Sequence, residues 1–527
     1  MAGGSRITFT ALYDRTATCR SIKFDKKALA SMKKSLILTA SLALMTLTTN
    51  AQKQAERPNP RQSFEEFRKG LHDDYNSFRK GILDRYDKFL DGVWVEYEEN
   101  QGEEADSKPK PRKLPLADDY RPAEHPVPVV TLPAAPSVDV AAPVRPELPA
   151  LPEVPAQKGR GDFEFGFYEM PVSMPDTDVK IAMRLNSQSD YAAQWRQLAK
   201  DPEAQVLMRE VERKSAEMGL NDYLKYELAS SYIDARYAGA DASSRTSLKH
   251  FILANLGYGV RLGINGHGRA LLLIPCSQPV YARMFIRIDD KKFYVFGTDD
   301  NDPAVTANAT ISTCQLPKNS DPGISMDLRI NGLNLPYVPH RYDLSFKDLR
   351  ITGEVNASIF PVLYRYPQMP TADFARSSVC QDVRDHIVSQ LKTQLEGKEE
   401  RQAVDDLLQF VQGAFEYATD DEFHGFEKPY FFEETLFYPK CDCEDRAIFY
   451  TYLLWNVLGV ENHLINYPGH ESASVRLSSP IKGDAYEFNG STFYISDPTF
   501  IGARTGMCMP NYINDAPGID YHYRQKQ

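Results

Sequence analysis

A chain of 527 residues is too long for one ordinary domain, so two to four folded units are expected. With 42% hydrophobic and 25% charged residues it can build cores, which excludes a wholly disordered or fibrous protein. A formal net charge of −11 argues against nonspecific nucleic-acid binding, and no nucleic-acid partner is expected.

Residues 1–51 read as a probable misread extension plus a signal peptide. Lys33-Lys34 precede an uncharged apolar run, Leu36 to Leu47, and then Thr49-Asn50-Ala51. A basic stretch, a short apolar stretch and small residues at a cleavage site form an export signal. Met32 is then the expected start and Gln52 the first mature residue. Losing residues 1–51, with eight Lys/Arg and two Asp, takes the net charge from −11 to −17. The mature chain is expected to lack a transmembrane span and to be periplasmic, cell-surface or secreted. Six cysteines remain there, and no pairing can be read from their spacing.

Residues 52–100 read as a helical region with an 11-residue repeat. Phe64–Phe67, Tyr75–Phe78 and Tyr86–Phe89 recur with Gly70, Gly81 and Gly92 at one offset. Eleven residues make almost three helical turns, so the aromatics fall on one stripe. The stripe predicts either docking on the protein itself or a helix for self-association or contact with an envelope component. Residues 101–160 read as a Pro-rich linker, with 13 prolines in the 47 residues from Pro109 to Pro155. Such a composition extends rather than packs.

Residues 161–300 begin with helical patterns (188–219 and 221–238) and end in strands. Residues 301–375 are expected to form a β-rich unit, with alternation at Met326-Asp327-Leu328-Arg329-Ile330. Residues 376–527 again run from helices to strands, and the overall fold class is α+β.

The chemistry concentrates after Lys440. Cys443-Glu444-Asp445-Arg446 opens an apolar run, Ala447 to Leu458, that stops at Gly459. This predicts a buried helix with acids in its first turn and Cys443 at its start. Free N–H groups there favour a thiolate or an oxyanion. Asn462–Tyr467 predicts a strand, followed by Pro468-Gly469-His470 and a second strand over Ala473–Leu477. Tyr486-Glu487-Phe488 and Phe493-Tyr494-Ile495 flank Asn489-Gly490, a hairpin signal, and lead into Asp497-Pro498-Thr499. Thiol, imidazole and carboxylate in this order suit nucleophilic catalysis: His470 takes the Cys443 proton and Asp497 orients His470.

Residues 376–510 resemble the transglutaminase-like superfamily of papain-type cysteine enzymes. The segments Cys443-Glu444-Asp445-Arg446-Ala447, Tyr467-Pro468-Gly469-His470 and Asp497-Pro498-Thr499 resemble its secreted bacterial branch. The resemblance implies a papain-like catalytic domain over 376–527, with Cys443 as nucleophile, His470 as base and Asp497 as orienting acid. Arg446 stands where an aromatic is common, and no Trp follows His470. The implied activity is acyl transfer on an amide of a peptide or protein substrate, as peptidase, amidase or cross-linking enzyme. No cofactor and no metal is expected. The alternative is a non-catalytic envelope binding or scaffold protein on the same domains.

Phe251–Gly257 reads like Leu453–Gly459 and is followed by strand patterns, His267 and a hairpin at Asp289-Asp290. Residues 161–300 are therefore expected to be a degenerate transglutaminase-like copy. In it, residues 241–244 replace Cys443, His267 falls near His470, and Gly297 replaces Asp497. The aromatic segment Asp420–Tyr438 is the expected substrate wall, with core packing as the alternative. Cys441-x-Cys443 with His424 or Cys508 is a weaker metal-site pattern, and His463 is expected to be a packed or edge histidine.

Overall fold

The computed structural model describes residues 73, 76–77, 79–84, 86–88, 90–100, 102–103, 114–117, 161–296, 310–314 and 322–524. The export signal, most of the Pro-rich span, the repeat aromatics other than Tyr86, and Gly297 lie outside these residues. The fold is mixed α+β, and no helix among the described residues is long and apolar enough to cross a membrane.

The first half opens with a hairpin, β2 (Asp162–Phe167) and β3 (Met170–Pro175), that the sequence reading missed. Four helices follow: α1 (Gln188–Lys200), α2 (Pro202–Glu217), α3 (Asp222–Arg236) and α4 (Ala242–Asn255). The expected helix over 188–219 is split because Asp201 caps α2 and Pro202 occupies its first turn. Proline has no N–H to give the preceding turn, so it belongs at a helix start. The strands are β4 (Arg261–Asn265), β5 (Ala270–Pro275), β6 (Phe285–Ile288), β7 (Lys291–Phe296) and β8 (Thr310–Thr313). They form an antiparallel sheet ordered β1-β8-β4-β5-β7-β6, where β1 is Val95–Glu98. This half thus draws strands from both sides of 161–300.

The helical residues before β1 pack on this half. Ile82, Tyr86 and Leu90, four apart, are buried, and Tyr86 meets Trp195 and His250. This part of the stripe docks on the chain itself.

In the second half, β9 (Pro339–Phe346) and β10 (Leu349–Asn356) form a hairpin against α5 (Gln381–Leu395) and α6 (Glu400–Ala414). The two-residue strands β11 (Glu416–Tyr417) and β12 (Lys440–Cys441) pair just before α7 (Cys443–Leu453). A five-stranded antiparallel sheet follows: β13 (Asn462–Tyr467), β14 (His470–Val475), β15 (Ala485–Phe488), β16 (Ser491–Ile495) and β17 (Gly518–Tyr523). Its order is β15-β16-β14-β13-β17. The hairpin at Asn489-Gly490 forms as expected, both residues having positive φ.

The expected β unit over 301–375 is not one unit. β8 belongs to the first sheet, β9–β10 packs on the second half, and residues 326–330 form no strand. Their alternation is nevertheless real: Ile324, Met326, Leu328 and Ile330 are buried. The segment runs extended between the halves, bridging Cys276 at Ile324 and Ser378 at Arg329. Period-2 burial marks a one-sided extended chain, whether or not a ladder forms.

Candidate active site

The local sequence around Cys443 builds a helix start inside the protein. Asp442 is the N-cap of α7, and Asp445 Oδ2 accepts the Asp442 N–H at 3.1 Å. Asp445 Oδ1 also accepts the Tyr430 N–H at 2.7 Å, tying the preceding loop to the first turn. Cys443 is fully buried at the helix start, as the sequence reading expects, while Cys441 lies in a short strand before it rather than in a loop. Arg446, also fully buried, donates to the carbonyls of Gln412 (3.3 Å) and Phe415 (2.9 Å) and lies over the Tyr417 ring. It thereby satisfies the open C-terminus of α6. The helix continues into a π turn, Leu454–Leu458, and ends at Gly459 with φ +68°.

Pro468 and Gly469 join β13 to β14. Pro468 fixes the first corner and Gly469, at φ +74°, supplies the left-handed second corner. This tight turn sets His470 as the first residue of β14, opposite Tyr467. His470 Nε2 and Asp497 Oδ2 are 2.8 Å apart, both side chains buried. Asp497 Oδ1 accepts the Thr499 N–H at 2.8 Å. His470 Nδ1 is buried without a hydrogen-bond partner among the described residues.

Cys443 and His470 line one cleft of about 260 Å³ but are not hydrogen-bonded to each other. Instead the Cys443 thiol donates to Glu444 Oε2 at 3.1 Å. Burial, then the Glu444 and Asp442 carboxylates, push that thiol well up; the Glu471 N–H at the sulfur opposes them. The expected stabilisation of a thiolate by the helix start is therefore outweighed: one turn of helix N–H groups faces desolvation plus two adjacent acids. Burial and neighbouring acids also push Asp420 up to about 10 and raise Asp442 and Asp445.

Three positioning groups escaped the sequence reading. Gln412 of α6 donates through Nε2 to the carbonyls of Asp497 (3.1 Å), Phe500 (2.8 Å) and Ala503 (3.2 Å), so one amide holds the loop carrying Asp497. Its signal was a polar residue directly after Phe410-Val411 on the buried side of α6. Tyr512 stacks on His470 with ring centres 5.2 Å apart and planes 10° off parallel. It supplies an aromatic cover from far along the chain where no Trp follows His470. Tyr281, from the first half, lines the cleft.

Segment 420–438 contributes to the cleft wall, but not through its aromatic side chains. Glu427 and Pro429 line the cleft, while Tyr430, Phe431 and Phe432 are buried and Phe432 stacks on Phe449. His463 is a packed histidine: buried, 2.6 Å from the Tyr486 hydroxyl, stacked on Phe493, and lowered by burial to about 2. Cys441, His424 and Cys508 belong to none of the metal-capable clusters among the described residues. Those clusters are Asp442-Cys443-Glu444, Asp420-Asp442-Asp445 and Asp420-Glu427-Glu444. The six described cysteines are all free thiols.

Five strands of the first sheet, β6-β7-β5-β4-β8, repeat the order β15-β16-β14-β13-β17 of the second, and β1 is an extra strand beyond β8. Aligning the hairpins places Phe293 on Phe493, Tyr294 on Tyr494 and, through β5 and β14, Arg269 on His470. The expected partner His267 instead sits in the exposed turn, because that turn is one residue longer than Pro468-Gly469. The helix starts correspond as expected, Asp241 capping α4 as Asp442 caps α7. No family model, no curated protein and no solved structure matches the chain.

Proposed function

We propose that the protein is an exported cysteine enzyme that transfers acyl groups from amides, with Cys443 as nucleophile, His470 as general base and acid, and Asp497 as orienting acid. The observation that carries this reading is the buried His470–Asp497 pair, whose unpaired Nδ1 shares a cleft with a cysteine at a helix start. As the thiol is neutral at rest, it turns from Glu444 to His470 Nδ1, which takes its proton as sulfur attacks the amide carbonyl. The carbonyl oxygen is met by free N–H groups of the first turn of α7. His470 returns the proton to the leaving nitrogen as the C–N bond breaks, leaving a Cys443 thioester. Water, deprotonated by His470, then cleaves the C–S bond and restores the thiol. Asp497 keeps Nε2 protonated throughout. The papain-like fold, the degenerate copy and the secreted bacterial branch belong to the same proposal.

One observation favours the second reading, a non-catalytic envelope module: Cys443 donates to Glu444 rather than to His470. Alkylation by a neutral haloacetamide at pH 7, mapped by peptide mass, separates the two. The enzyme reading expects modification at Cys443 that slows at least about tenfold in His470→Ala, as general-base assistance contributes about 10²–10⁴-fold. Labelling at Cys443 that ignores His470 would overturn it.

A further inference from the structure

The cleft above Cys443 has one sign of charge. Glu427, Glu444 and Glu471 line it, and none of its lining residues is Lys or Arg. Two cations close to these acids in sequence point elsewhere. Lys428 Nζ donates to Glu434 at 2.8 Å and to the Pro429 carbonyl, and Arg446 is spent on the carbonyls at the end of α6. Behind this wall stand three further acids, Asp420, Asp442 and Asp445. The lining also includes Tyr281 and Tyr467, whose ring faces attract cations. At about 260 Å³ the space lies under the range of pockets that enclose whole small-molecule ligands, and suits a single residue.

We infer that the cleft selects a substrate residue bearing a primary ammonium group beside the scissile amide, held by Glu427, Glu444 and Glu471. The inference rests on the reading of Cys443 as nucleophile and extends it to substrate class. It also bears on the acyl acceptor. Carboxylates around an amine favour its protonated form, and an ammonium has no lone pair with which to attack a thioester. The amine is therefore recognised rather than consumed, and water is the acceptor. An anionic or carboxylate-terminated residue at this position meets like charge and is refused.

Three methanethiosulfonate reagents of similar size test this on the full chain: neutral methyl, cationic aminoethyl and anionic sulfonatoethyl. Each forms a mixed disulfide with Cys443, and the thiolate displaces sulfinate. The neutral reagent calibrates access and reactivity. Clefts of one sign raise capture of the opposite charge by about 10–10³-fold, so the aminoethyl reagent is expected to react at least about tenfold faster than the sulfonatoethyl one. Glu427→Gln and Glu471→Gln should each shrink that ratio several-fold, with each charged rate taken relative to the same variant's neutral rate. Glu164→Gln, exposed on β2 in the other half, changes net charge equally and should leave the ratio alone. If Cys443 reacts with the neutral reagent but equally with both charged ones, or if Glu164→Gln moves the ratio as much as Glu427→Gln, the inference falls while the nucleophile stands. If the neutral reagent does not reach Cys443, the nucleophile reading falls and takes the inference with it.

Discussion

The two halves carry the same sheet order and the same helix-to-hairpin sequence, yet they fill one frame differently. β5 is Ala-Leu-Leu-Leu-Ile-Pro, whereas β14 is His-Glu-Ser-Ala-Ser-Val, and every residue of both is buried. The faces away from the helices match almost position by position: Ile286, Ile288, Phe293 and Val295 in one, Tyr486, Phe488, Phe493 and Ile495 in the other. The differences lie along β5 and β14, at the helix start and, in sequence, at Gly297 against Asp497. Aligned on their caps, Asp241-Ala242-Ser243-Ser244 answers Asp442-Cys443-Glu444-Asp445, so Ala242 stands opposite Cys443; one residue on, Ser243 Oγ accepts the Ala270 N–H much as Cys443 Sγ accepts that of Glu471. The second half also holds a π turn, an inserted residue of the kind that gathers at functional sites, where α4 runs regularly to Gly257. Buried carboxylates thus gather in the second half.

The largest effect that separates the halves is chemical. Cys443→Ala is expected to abolish thioester formation, and Asp497→Ala to leave a measurable residue. Cys441→Ala should retain most reactivity, because Cys441 lies on the strand before the helix and not at the cleft. Moving the thiol to the first half should create nothing. Ser243→Cys has Arg269 where His470 would stand, so its alkylation should run at least about 10²-fold below that of Cys443. Equal rates at the two sites, measured by peptide mass, would show that the helix start alone suffices.

Stability should divide the halves in the opposite sense. Leu272→Ala removes a fully buried side chain from β5 and should cost about 2–5 kcal/mol. At the corresponding position of β14, Ala473→Leu overfills a closed core and should cost about 1–3 kcal/mol. Denaturant midpoints of both variants check this. A tolerated Ala473→Leu would mean that the register relating the sheets is offset.

The acidic cluster gives the second half a pH dependence with a definite sign. The folded-state carboxyls of Asp420, Asp442 and Asp445 are raised, Asp420 to about 10, so the folded chain holds more protons than the unfolded one above the ordinary carboxylate range. Stability then falls as pH rises through that window, by at most about 1.4 kcal/mol per pH unit for each group. The midpoint at pH 8.5 should lie below that at pH 5.5, and Asp420→Asn should narrow the gap. A wider gap in that variant would reverse the assignment.

What the sequence disclosed was local. The cap of α7, its stop at Gly459, the β13 strand and the hairpin at Asn489-Gly490 are written in neighbouring residues, and His470 and Asp497 follow from their places on that hairpin path. What it hid was non-local. Nothing near Val95 announces pairing with Thr313, nothing near Tyr281 marks it as a wall of a cleft 160 residues on, and Gln412 and Tyr512 act through contacts that no period encodes. Alternation at 326–330 was read as a ladder because one buried face looks the same with or without a partner strand. Copying His267 onto His470 failed by one turn residue, since spacing in sequence ignores loop length.

The smallest expected effect tests the register itself, at the two hairpin turns. Asn489 and Gly490 have φ of 50° and 76°, and Asp289 and Asp290 have 45° and 65°, so both turns ask for left-handed backbone at two successive residues. Such turns match the twist of the flanking strands, and glycine enters this region without a Cβ penalty. A Cβ added at Gly490 meets no atom within 4 Å, so Gly490→Ala isolates the backbone term from any clash. It should cost about 1 kcal/mol. The reciprocal change, Asp290→Gly, relieves the same strain in the other half but loosens the unfolded chain, and should stabilise by no more than about 0.5 kcal/mol. Both are surface turns, so activity should stay put while the midpoints move apart. If Gly490→Ala instead lowers Cys443 reactivity, the hairpin is coupled to Asp497 through β16, and the two turns are not equivalent parts.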